Sequence, residues 1–360
     1  MRIGVPKEIK PQESRVSVTP EVAWQLVAGG HEVFVERAAG AGIGLSDEAY
    51  TDAGAVMLST ADDVFDRSDL IVKVKEPQAT EIARLRPRHT LFTYLHLAAD
   101  RAQAEGLIAS GATAIAYETI RDARGRLPLL APMSQIAGRM SVDVGAVALL
   151  QPNGGSGKLL GGVPGVPPAK VVILGGGVSG KHAAQMALGH RADVTIFDLS
   201  AARLEELDDL FGGRVKTQFS TRSDIQNALA DADLVIGCVL IPGAAAPKLI
   251  RREDLAAMLP GSVIVDVAID QGGCCETSRP TTHAEPTYIV DGVVHYCVAN
   301  MPGAAALTST YALGAATAPY LLALANRGVE AALAADSGFA QGVNVRAGGI
   351  VHAGVDAALH

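Results

Sequence analysis

The chain lacks an excess of positive charge. Its 30 lysine and arginine residues are outnumbered by 38 aspartate and glutamate residues, and the formal net charge at pH 7 is −8. Nucleic acids and anionic membrane surfaces are bound through clustered basic side chains, so this balance disfavours both kinds of partner. A chain of 360 residues that is 49% hydrophobic and 19% charged is expected to fold into two globular domains.

Cysteine is also scarce. The four cysteines (Cys238, Cys274, Cys275 and Cys297) show neither C-x-x-C spacing nor the pattern of a disulfide framework, as expected in a reducing compartment. Adjacent cysteines rarely chelate one ion, so we interpret Cys274 and Cys275 as structural thiols and not as metal ligands together with His283.

No stretch has the length and hydropathy of a membrane span. Residues 296–326 carry no charged side chain, but their apolar content is mostly alanine and glycine and they are interrupted by Pro302 and Pro319. We therefore predict a buried helix and loop there. The opening MRIGVPKEIK becomes polar at its seventh residue and does not resemble a secretory signal, so we expect a cytoplasmic protein.

The most informative motif that is present is KVVILGGGVSGKHAAQMALGHRADVTIFD, residues 170–198. It is typical of a strand, a glycine turn, a helix and a second strand ending in an acid. In such a unit Gly175 allows the tight turn, Gly177 lets the backbone approach a pyrophosphate, and Gly180 lets the helix pack closely on the strand. The unpaired amides of the first helical turn would then face the phosphates.

Asp198 closes this motif about 20 residues beyond the glycines, where dinucleotide-binding proteins place an acid. A carboxylate there can accept hydrogen bonds from the ribose hydroxyls and would repel a 2′-phosphate. The motif therefore predicts a dinucleotide cofactor, and it favours NAD over NADP. The alternative is an ordinary βαβ unit with a glycine turn.

The first 120 residues also alternate strand-like and helix-like stretches, which predicts a largely parallel sheet covered by helices. Thr19 can cap a helix that has Pro20 at its first position and that ends at Gly29. The predicted strands cover residues 2–5, 31–35, 70–74, 90–95 and 113–116. Because this region has no glycine fingerprint, we predict a second α/β domain.

Further strands at 171–174, 194–197, 215–219, 234–238, 263–267 and 293–298 would complete a dinucleotide-binding sheet. Before it, residues 128–150 are predicted to form a long apolar helix with Ser134 as a possible N-cap. Beyond Thr308 we predict helices, including QGVNVRAGGIVHAGVDAAL, that return to the N-terminal domain. The predicted fold class is α/β: a Rossmann NAD-binding domain at 129–306 and a discontinuous, Rossmann-like substrate domain at 1–128 and 307–360.

Polar side chains follow three of the predicted strands in the N-terminal region. Arg15 lies in the loop after the first strand, Lys75 follows the strand at 70–74, and His96 follows the strand at 90–95. Ligands of open parallel sheets bind outside the carboxyl ends of the strands, so we interpret these residues as an anion-binding and proton-transferring group. Surface charges and a hydrogen-bonded core histidine are the alternatives.

One further candidate follows a strand of the dinucleotide-binding sheet. Asp270 lies beyond the predicted strand at 263–267, at the carboxyl edge. A turn aspartate before Gly272 would explain it equally simply.

The motifs MRIGVPKEIK, QESRV, KVKEP, TYLHLA, GGGVSG, DVAIDQGG, TSRPTTH and YCVANMPG together resemble the alanine dehydrogenase family over nearly the whole chain. That family is related to the proton-translocating transhydrogenase, whose membrane segments are lacking here. The resemblance implies reversible NAD-dependent oxidative deamination of L-alanine to pyruvate and ammonia by a homo-hexamer. Water would attack the imine left by hydride transfer, and histidine is the side chain best suited to the proton transfers near neutral pH.

The resemblance also implies roles for individual residues. Arg15 and Lys75 would bind the substrate carboxylate and carbonyl oxygen, His96 would be the acid/base, and Asp270 would complete the catalytic set. The side chains expected around the amino acid are Tyr94, Met133 and Asn300. The expected cofactor-binding residues are Ser134, Gly175, Gly177, Val178, Gly180, Asp198, Arg203, Ser220, Val239, Leu240, Val267, Ala268, Ile269, Asp270, Arg279, Val298, Asn300 and Met301.

The chain departs from the family pattern at several places. AALTST replaces a usual Val-Pro-basic segment, and the helix after the glycine loop starts KHAA instead of Thr-Asn-Ala-Ala. We expect no metal, because Ala323 and Arg327 occupy the neighbourhood where the family sometimes has ligands. A related amino-acid or imine oxidoreductase, a silent NAD-binding regulator and a transhydrogenase-like nucleotide-binding protein remain alternatives.

Overall fold

The structure is a computed structural model that describes residues 1–239 and 246–359. The chain divides into two compact units: Met1–Met133 with Ala305–His360, and Ser134–Ala304. The first unit is therefore discontinuous in sequence. The observed divisions lie at residues 133/134 and 304/305, against 128/129 and 306/307 in the sequence-based prediction.

Within the described residues the strands, in chain order, are β1 (Arg2–Val5), β2 (Glu32–Glu36), β3 (Val56–Leu58), β4 (Leu70–Val72), β5 (Thr90–Thr93), β6 (Thr113–Ala116), β7 (Lys170–Leu174), β8 (Asp193–Asp198), β9 (Lys216–Phe219), β10 (Leu234–Gly237), β11 (Val263–Asp266), β12 (Thr287–Val290), β13 (Val293–Tyr296), β14 (Val343–Arg346) and β15 (Gly349–Ile350). The α-helices are α1 (Pro20–Ala28), α2 (Asp47–Asp52), α3 (Ala61–Arg67), α4 (Ala79–Ile82), α5 (Arg101–Ser110), α6 (Ala131–Ala148), α7 (Val178–Gly189), α8 (Ala201–Phe211), α9 (Arg222–Leu229), α10 (Ala306–Arg327), α11 (Val329–Ala335), α12 (Ser337–Ala340) and α13 (Ala353–Leu359).

The first unit contains one sheet with the strand order β15-β14-β6-β5-β4-β1-β2-β3. Strands β1 to β6 are parallel, and β14 joins β6 in the antiparallel direction. The order reverses between β1 and β4, which makes a topological switch point of the kind where open α/β sheets bind ligands. The central strands β4 and β5 are buried throughout, and Ile3 on β1, Ile71 on β4 and Leu91 on β5 are fully buried, as expected when helices cover both faces.

The second unit repeats the same plan, with the strand order β12-β13-β11-β10-β7-β8-β9. Six of its strands are parallel, and their order reverses between β7 and β10. Strand β12 pairs with β13 in the antiparallel direction. This is the Rossmann strand order, and the first unit shares it. The predicted fold class, two Rossmann-like α/β domains, is thereby confirmed.

Several local predictions are confirmed and others are wrong. Thr19 is at the N-cap position of α1 with Pro20 at its start, as predicted, but its side chain makes no capping hydrogen bond. Ser134, in contrast, is the fourth residue of α6 and not its N-cap, because the helix already begins at Ala131. The predicted helix over the C-terminal segment is wrong between residues 343 and 350, where β14 and β15 form a hairpin. Its turn uses positive φ angles at Ala347 and Gly348.

Besides β14 and β15, two further strands, β3 and β12, have no counterpart in the sequence-based prediction. Both lie at sheet edges, are no longer than four residues and are only partly buried, so their sequences are hard to distinguish from those of loops. Among the described residues, the structure contains no helix that combines the length and the hydropathy needed to cross a membrane.

Candidate active site

Arg15 lies in the loop after β1 and is 2% exposed. Its Nε and Nη2 donate hydrogen bonds of 2.7 and 2.5 Å to the two carboxylate oxygens of Glu13, and its Nη1 lies 3.1 Å from Sδ of Met133. Burial alone lowers the pKa of Arg15, but the hydrogen bonds and charge of Glu13 outweigh it and raise that pKa. The guanidinium is therefore a fixed, buried cation with a defined orientation.

Lys75 follows β4 and is 8% exposed, with its ammonium 3.5 Å from a carboxylate oxygen of Glu76. Its backbone is also fixed, because the carbonyl of Lys75 accepts a hydrogen bond of 2.9 Å from Oγ1 of Thr93 on β5. The ammonium is a point charge on a held backbone, a suitable group for an oxygen that carries partial negative charge.

A buried ion triad joins the loop that carries Arg15 to the segment that carries Lys75. Lys73 is fully buried and lies 2.9 Å from a carboxylate oxygen of Glu8 and 2.7 Å from one of Glu81. The other Glu8 oxygen accepts a hydrogen bond of 2.6 Å from the amide of Val74. Because Glu8 lies just beyond β1 and Lys73 just beyond β4, this triad fixes the positions of both segments at the switch point.

Tyr94 and His96 follow β5. Tyr94 is 3% exposed, its hydroxyl donates a hydrogen bond of 2.6 Å to the carbonyl of Leu129, and burial raises its pKa. The exposed imidazole of His96 stacks on the Tyr94 ring with a centroid distance of 5.8 Å and an interplanar angle of 8°. Arg15 and Tyr94 are close enough for each to change the electrostatic environment of the other.

Five residues predicted from the sequence thus lie in the first unit. Four of them follow the neighbouring strands β1, β4 and β5, and the fifth lies at the boundary of the unit: Arg15, Lys75, Tyr94, His96 and Met133. They combine two buried cations, an exposed imidazole and apolar side chains. Such a combination can hold a small carboxylate and transfer a proton beside it. The sequence reasoning missed Glu8, Glu13 and Glu118, although two of them stand in the same KEIKPQESR loop as Arg15.

The glycine loop of the second unit has the features that a dinucleotide needs. Gly175 has φ of +100°, and a Cβ there would lie 2.9 Å from the carbonyl oxygen of Cys238. A Cβ on Gly180 would lie 1.8 Å from the carbonyl oxygen of Gly175, so only glycine lets α7 pack this closely on the loop. Around Gly177, the N-cap of α7, no described atom would lie within 4 Å of a Cβ. That open space is what a pyrophosphate at the helix N-terminus requires.

Asp198 ends β8 and contacts this loop. One carboxylate oxygen accepts a hydrogen bond of 2.8 Å from the amide of Gly176, and the other accepts one of 2.8 Å from the amide of Ser200. Arg203 on α8 donates from Nε to the carbonyl of Gly176 at 2.7 Å. Asp198 therefore organises the loop in addition to the ribose contact predicted for it, and each of its oxygens retains a further lone pair.

The other candidates in the second unit mostly follow the carboxyl ends of its parallel strands. Ser220 follows β9, Val239 follows β10, the segment 267–270 follows β11 and the segment 298–301 follows β13. In the order of the sheet these strands flank β7, so their ends line the edge that bears the glycine loop. Ser134 and Val178 lie on α6 and α7, whereas Leu240 lies outside the described residues.

Two of these candidates have further notable contacts. Arg279 is exposed and lies over the ring of Tyr288 with 4.1 Å between its guanidinium carbon and the centroid. Asn300 has φ of +65°, and its carbonyl lies 3.3 Å from Nε2 of His283.

The loop that carries Asp270 is held by a buried carboxylate. Asp266, at the end of β11, accepts hydrogen bonds from the amides of Ala268 and Cys274 at 3.1 and 2.8 Å and from Oγ of Ser278 at 2.6 Å. Asp270 itself is exposed on the 3₁₀ turn Val267–Gln271. The structure therefore holds the Asp270 backbone while leaving its carboxylate available to solvent.

The four cysteines are buried and free, and burial raises the pKa of the Cys274 thiol above its ordinary value. Over residues 1–239 and 246–359 there is no group of three or more His, Cys, Asp or Glu side chains that could hold a metal ion.

Comparisons with known proteins identify the family. The N-terminal domain of "Alanine dehydrogenase/PNT" matches residues 4–137, and the C-terminal domain of the same family matches residues 141–353. An alanine dehydrogenase from Halomonas elongata is 59% identical over 355 residues, which cover 99% of this chain and 96% of the relative.

Solved structures agree with these matches. A structure described as L-alanine dehydrogenase is 52% identical, has a TM-score of 0.95 and matches over 99% of each chain. A transhydrogenase from Sinorhizobium meliloti is 27% identical, with a TM-score of 0.81 over 98% of this chain and 99% of that one. With both family domains matched in order over nearly its whole length, this chain belongs to the alanine dehydrogenase/PNT family.

Proposed function

We propose that this chain is an alanine dehydrogenase, which catalyses the reversible NAD-dependent oxidative deamination of L-alanine to pyruvate and ammonia. The observation that carries the proposal is the group of Arg15, Lys75, Tyr94 and His96 after neighbouring strands of one sheet, in a chain 59% identical to an alanine dehydrogenase over 99% of its length. A catalytically silent nucleotide-binding regulator would not need these residues, so their presence disfavours that alternative.

Arg15 and Lys75 bind the substrate in this proposal. The guanidinium, oriented by Glu13, pairs with the substrate carboxylate, because a planar fork of donors matches a planar carboxylate. Lys75 donates to the oxygen that becomes the carbonyl of pyruvate and stabilises the negative charge that develops there. Tyr94 and Met133 limit the space around the substrate side chain, which favours a methyl group, and the role of Asn300 follows from the family motif YCVANMPG.

His96 transfers protons in this proposal. An imidazole nitrogen of His96 accepts a proton from the water that adds to the imine carbon, and returns a proton to nitrogen when the carbinolamine releases ammonia. Asp270 accepts a hydrogen bond from the water or the ammonium group. Asp270 belongs to the second unit, and its role follows from the family motif DVAIDQGG.

The second unit binds the dinucleotide in this proposal. A dinucleotide bound there would supply the hydride acceptor for Cα of alanine and, in the reverse direction, the hydride donor for the imine. Support comes from the open space at Gly177, from the N-terminal end of α7 and from Asp198 at the end of β8. The carboxylate of Asp198 disfavours a 2′-phosphate, so we propose NAD as the physiological nucleotide. The scarcity of cysteine is the ground on which we propose a cytoplasmic location.

The decisive assay is NADH oxidation by the purified protein with pyruvate and ammonium. We expect turnover that requires both, and weaker turnover when NADPH replaces NADH. Absence of turnover with every combination, in protein shown by calorimetry to bind NADH, would contradict the proposal.

The same assay separates the alternatives. Faster turnover with glyoxylate or a longer keto acid than with pyruvate would indicate a related oxidoreductase with a different substrate. This alternative is considered because the segment AALTST departs from the family pattern. Hydride exchange between two nucleotides without any keto acid or ammonium would indicate a transhydrogenase-like protein, which the match to the Sinorhizobium meliloti transhydrogenase motivates.

A further inference from the structure

The backbone of His96 adopts the left-handed conformation, with φ of 51° and ψ of 35°. This region is unfavourable for residues other than glycine because the Cβ approaches the following carbonyl oxygen. A histidine stays there only when surrounding contacts fix it, and such residues concentrate at functional sites. The contacts that fix His96 therefore determine where its imidazole lies.

Glu118 supplies the most direct of these contacts. One of its carboxylate oxygens accepts hydrogen bonds from the amide of His96 at 2.6 Å and from the amide of Leu95 at 3.1 Å, and its other oxygen lies 3.3 Å from the Leu95 amide. Two successive amides that point at one anion form the concave backbone arrangement that binds negative charge. Hydrogen bonds to a carboxylate are stronger than those to a neutral acceptor.

Glu118 is itself held firmly. It lies in the 3₁₀ turn Tyr117–Thr119, directly after β6, which pairs with β5 in parallel. The neighbouring Tyr117 is fully buried and donates a hydrogen bond of 3.0 Å to the carbonyl of Lys73. The carboxylate thus reaches the end of β5 from a rigid neighbouring element.

The conformation of Leu95 and His96 sets the direction of the imidazole. In the left-handed conformation the ring of His96 stacks on Tyr94, whose own hydroxyl is fixed by the carbonyl of Leu129. A change of His96 to an extended backbone would turn its Cβ away from this position.

We propose that Glu118 is a positioning residue for His96: its carboxylate binds the amides of Leu95 and His96 and thereby holds the imidazole in its catalytic orientation. This rests on the proposed function, in which His96 transfers protons. Glu118 neither touches the substrate nor replaces Arg15 or Lys75 in binding it.

Kinetics of Glu118→Ala should show this role as a change in kcat. Misplacement of a catalytic group by about 1 Å can cost a factor on the order of 100 in rate, so we expect kcat to fall by roughly 10- to 100-fold. KM for pyruvate should change by less than about threefold, because the side chains that hold the carboxylate are unaltered. Glu118→Gln keeps an amide oxygen that can accept from both amides, so it should recover much of the lost kcat.

A double-mutant cycle separates positioning of His96 from a general structural effect. In a His96→Ala background, Glu118→Ala should lower kcat no further, since the group that it positions is gone. An equal loss of kcat in both backgrounds would overturn the inference. Glu105→Ala, which removes an exposed carboxylate paired with Arg101 on α5, is the matched control and should leave kcat unchanged.

Amide hydrogen exchange tests the same claim without any activity. The amides of Leu95 and His96 should be protected in the wild type and should exchange much faster in Glu118→Ala, while Glu118→Gln keeps partial protection. Unchanged protection in Glu118→Ala would also overturn the inference. Lack of turnover by the wild type, with the protection pattern as expected, would contradict only the proposed function.

Discussion

Buried carboxylates hold the backbone and the cations of the candidate site, and they do so one residue at a time. Glu13 orients the guanidinium of Arg15, Glu8 joins the segments beyond β1 and β4, and Asp266 holds the loop that carries Asp270. Each carboxylate accepts at least two hydrogen bonds, which offsets much of the free energy that its burial costs. The catalytic side chains can then stay available to ligands while their backbones remain fixed.

Asp198 offers a test of nucleotide choice. Asp198→Ala removes the negative charge that disfavours a 2′-phosphate, so the preference for NADH over NADPH, measured as the ratio of their kcat/KM values, should fall by about tenfold or more, which corresponds to about 1.4 kcal/mol. Because Asp198 also binds the Gly176 amide, absolute affinity for both nucleotides should fall as well. Asp198→Asn keeps the shape without the charge and should lower the same ratio. An unchanged ratio in both variants would show that Asp198 does not discriminate.

His182 on α7 gives a prediction for stability and pH. Burial, followed by the charges of Lys181 and Arg139, lowers its pKa from 6.5 to about 4, and Nε of Arg139 donates a hydrogen bond of 3.2 Å to its Nδ1. The folded state therefore binds fewer protons here than the unfolded state between pH 6.5 and 4. The stability that neutral His182 contributes is present above pH 6.5 and is lost as the pH falls towards 4.

Denaturant unfolding at pH 7.5 and pH 5 measures this contribution. The free energy of unfolding should drop more for the wild type than for His182→Asn, which cannot titrate. Equal drops in the two proteins would mean that His182 is not held neutral by the fold.

Among the elements, the loop between β7 and α7 contains glycines that meet two different requirements: close packing of the helix on the loop, and space for a ligand. Gly180 is needed for packing, since a Cβ would lie 1.8 Å from the Gly175 carbonyl oxygen. Gly177 has a negative φ of −63° and no described neighbour within 4 Å of a Cβ. One glycine thus serves the fold, and the other leaves room for a ligand.

Alanine substitutions at these two positions should have opposite signatures. Gly180→Ala forces α7 away from the loop and should lower the free energy of unfolding by about 3 kcal/mol. Gly177→Ala should leave the melting temperature within a few degrees of wild type but weaken NADH binding in calorimetry by at least about tenfold. Normal NADH affinity in a folded Gly177→Ala protein would show that the pyrophosphate does not bind at this loop.

Most of the parallel strands could be predicted from the sequence because they contain buried apolar residues and are followed by a turn, but the three-residue edge strand β3 could not. The antiparallel strands could not, since β12 is a short edge strand and β14 alternates two valines with the polar Asn344 and Arg346. Side chains after strand ends pointed to Arg15, Lys75 and His96. Glu13 was missed although it lies only two residues from Arg15, because the sequence does not show that its carboxylate binds that guanidinium. Glu118 was missed because it binds the amide of His96, 22 residues away in the chain, which no local pattern reveals.

At the scale of the whole molecule, the two units share one strand order but carry different side chains at their carboxyl edges. The first has cations and an imidazole, and the second has a glycine loop and acids. A common architecture thus supports two kinds of binding, because the loops and not the sheets determine the chemistry.

We expect this enzyme to assemble as a hexamer, as the family resemblance implies. The second unit exposes several apolar side chains close together in sequence, among them Leu159, Val163 and Val166, each more than 50% exposed. Such patches commonly mark protein interfaces. Sedimentation equilibrium should give a mass near six times 37.1 kDa, and Val166→Asp should reduce it. A monomeric wild type would contradict the expectation.

The central claim is that Cα of alanine is the hydride donor and the dinucleotide the acceptor. The most direct measurement is mass spectrometry of the NADH formed from NAD and L-alanine deuterated at Cα. We expect one deuterium in the reduced nicotinamide ring and none in ammonia. NADH free of deuterium, or a failure to form NADH with protein that binds NAD, would contradict the claim that Cα of alanine is the hydride donor.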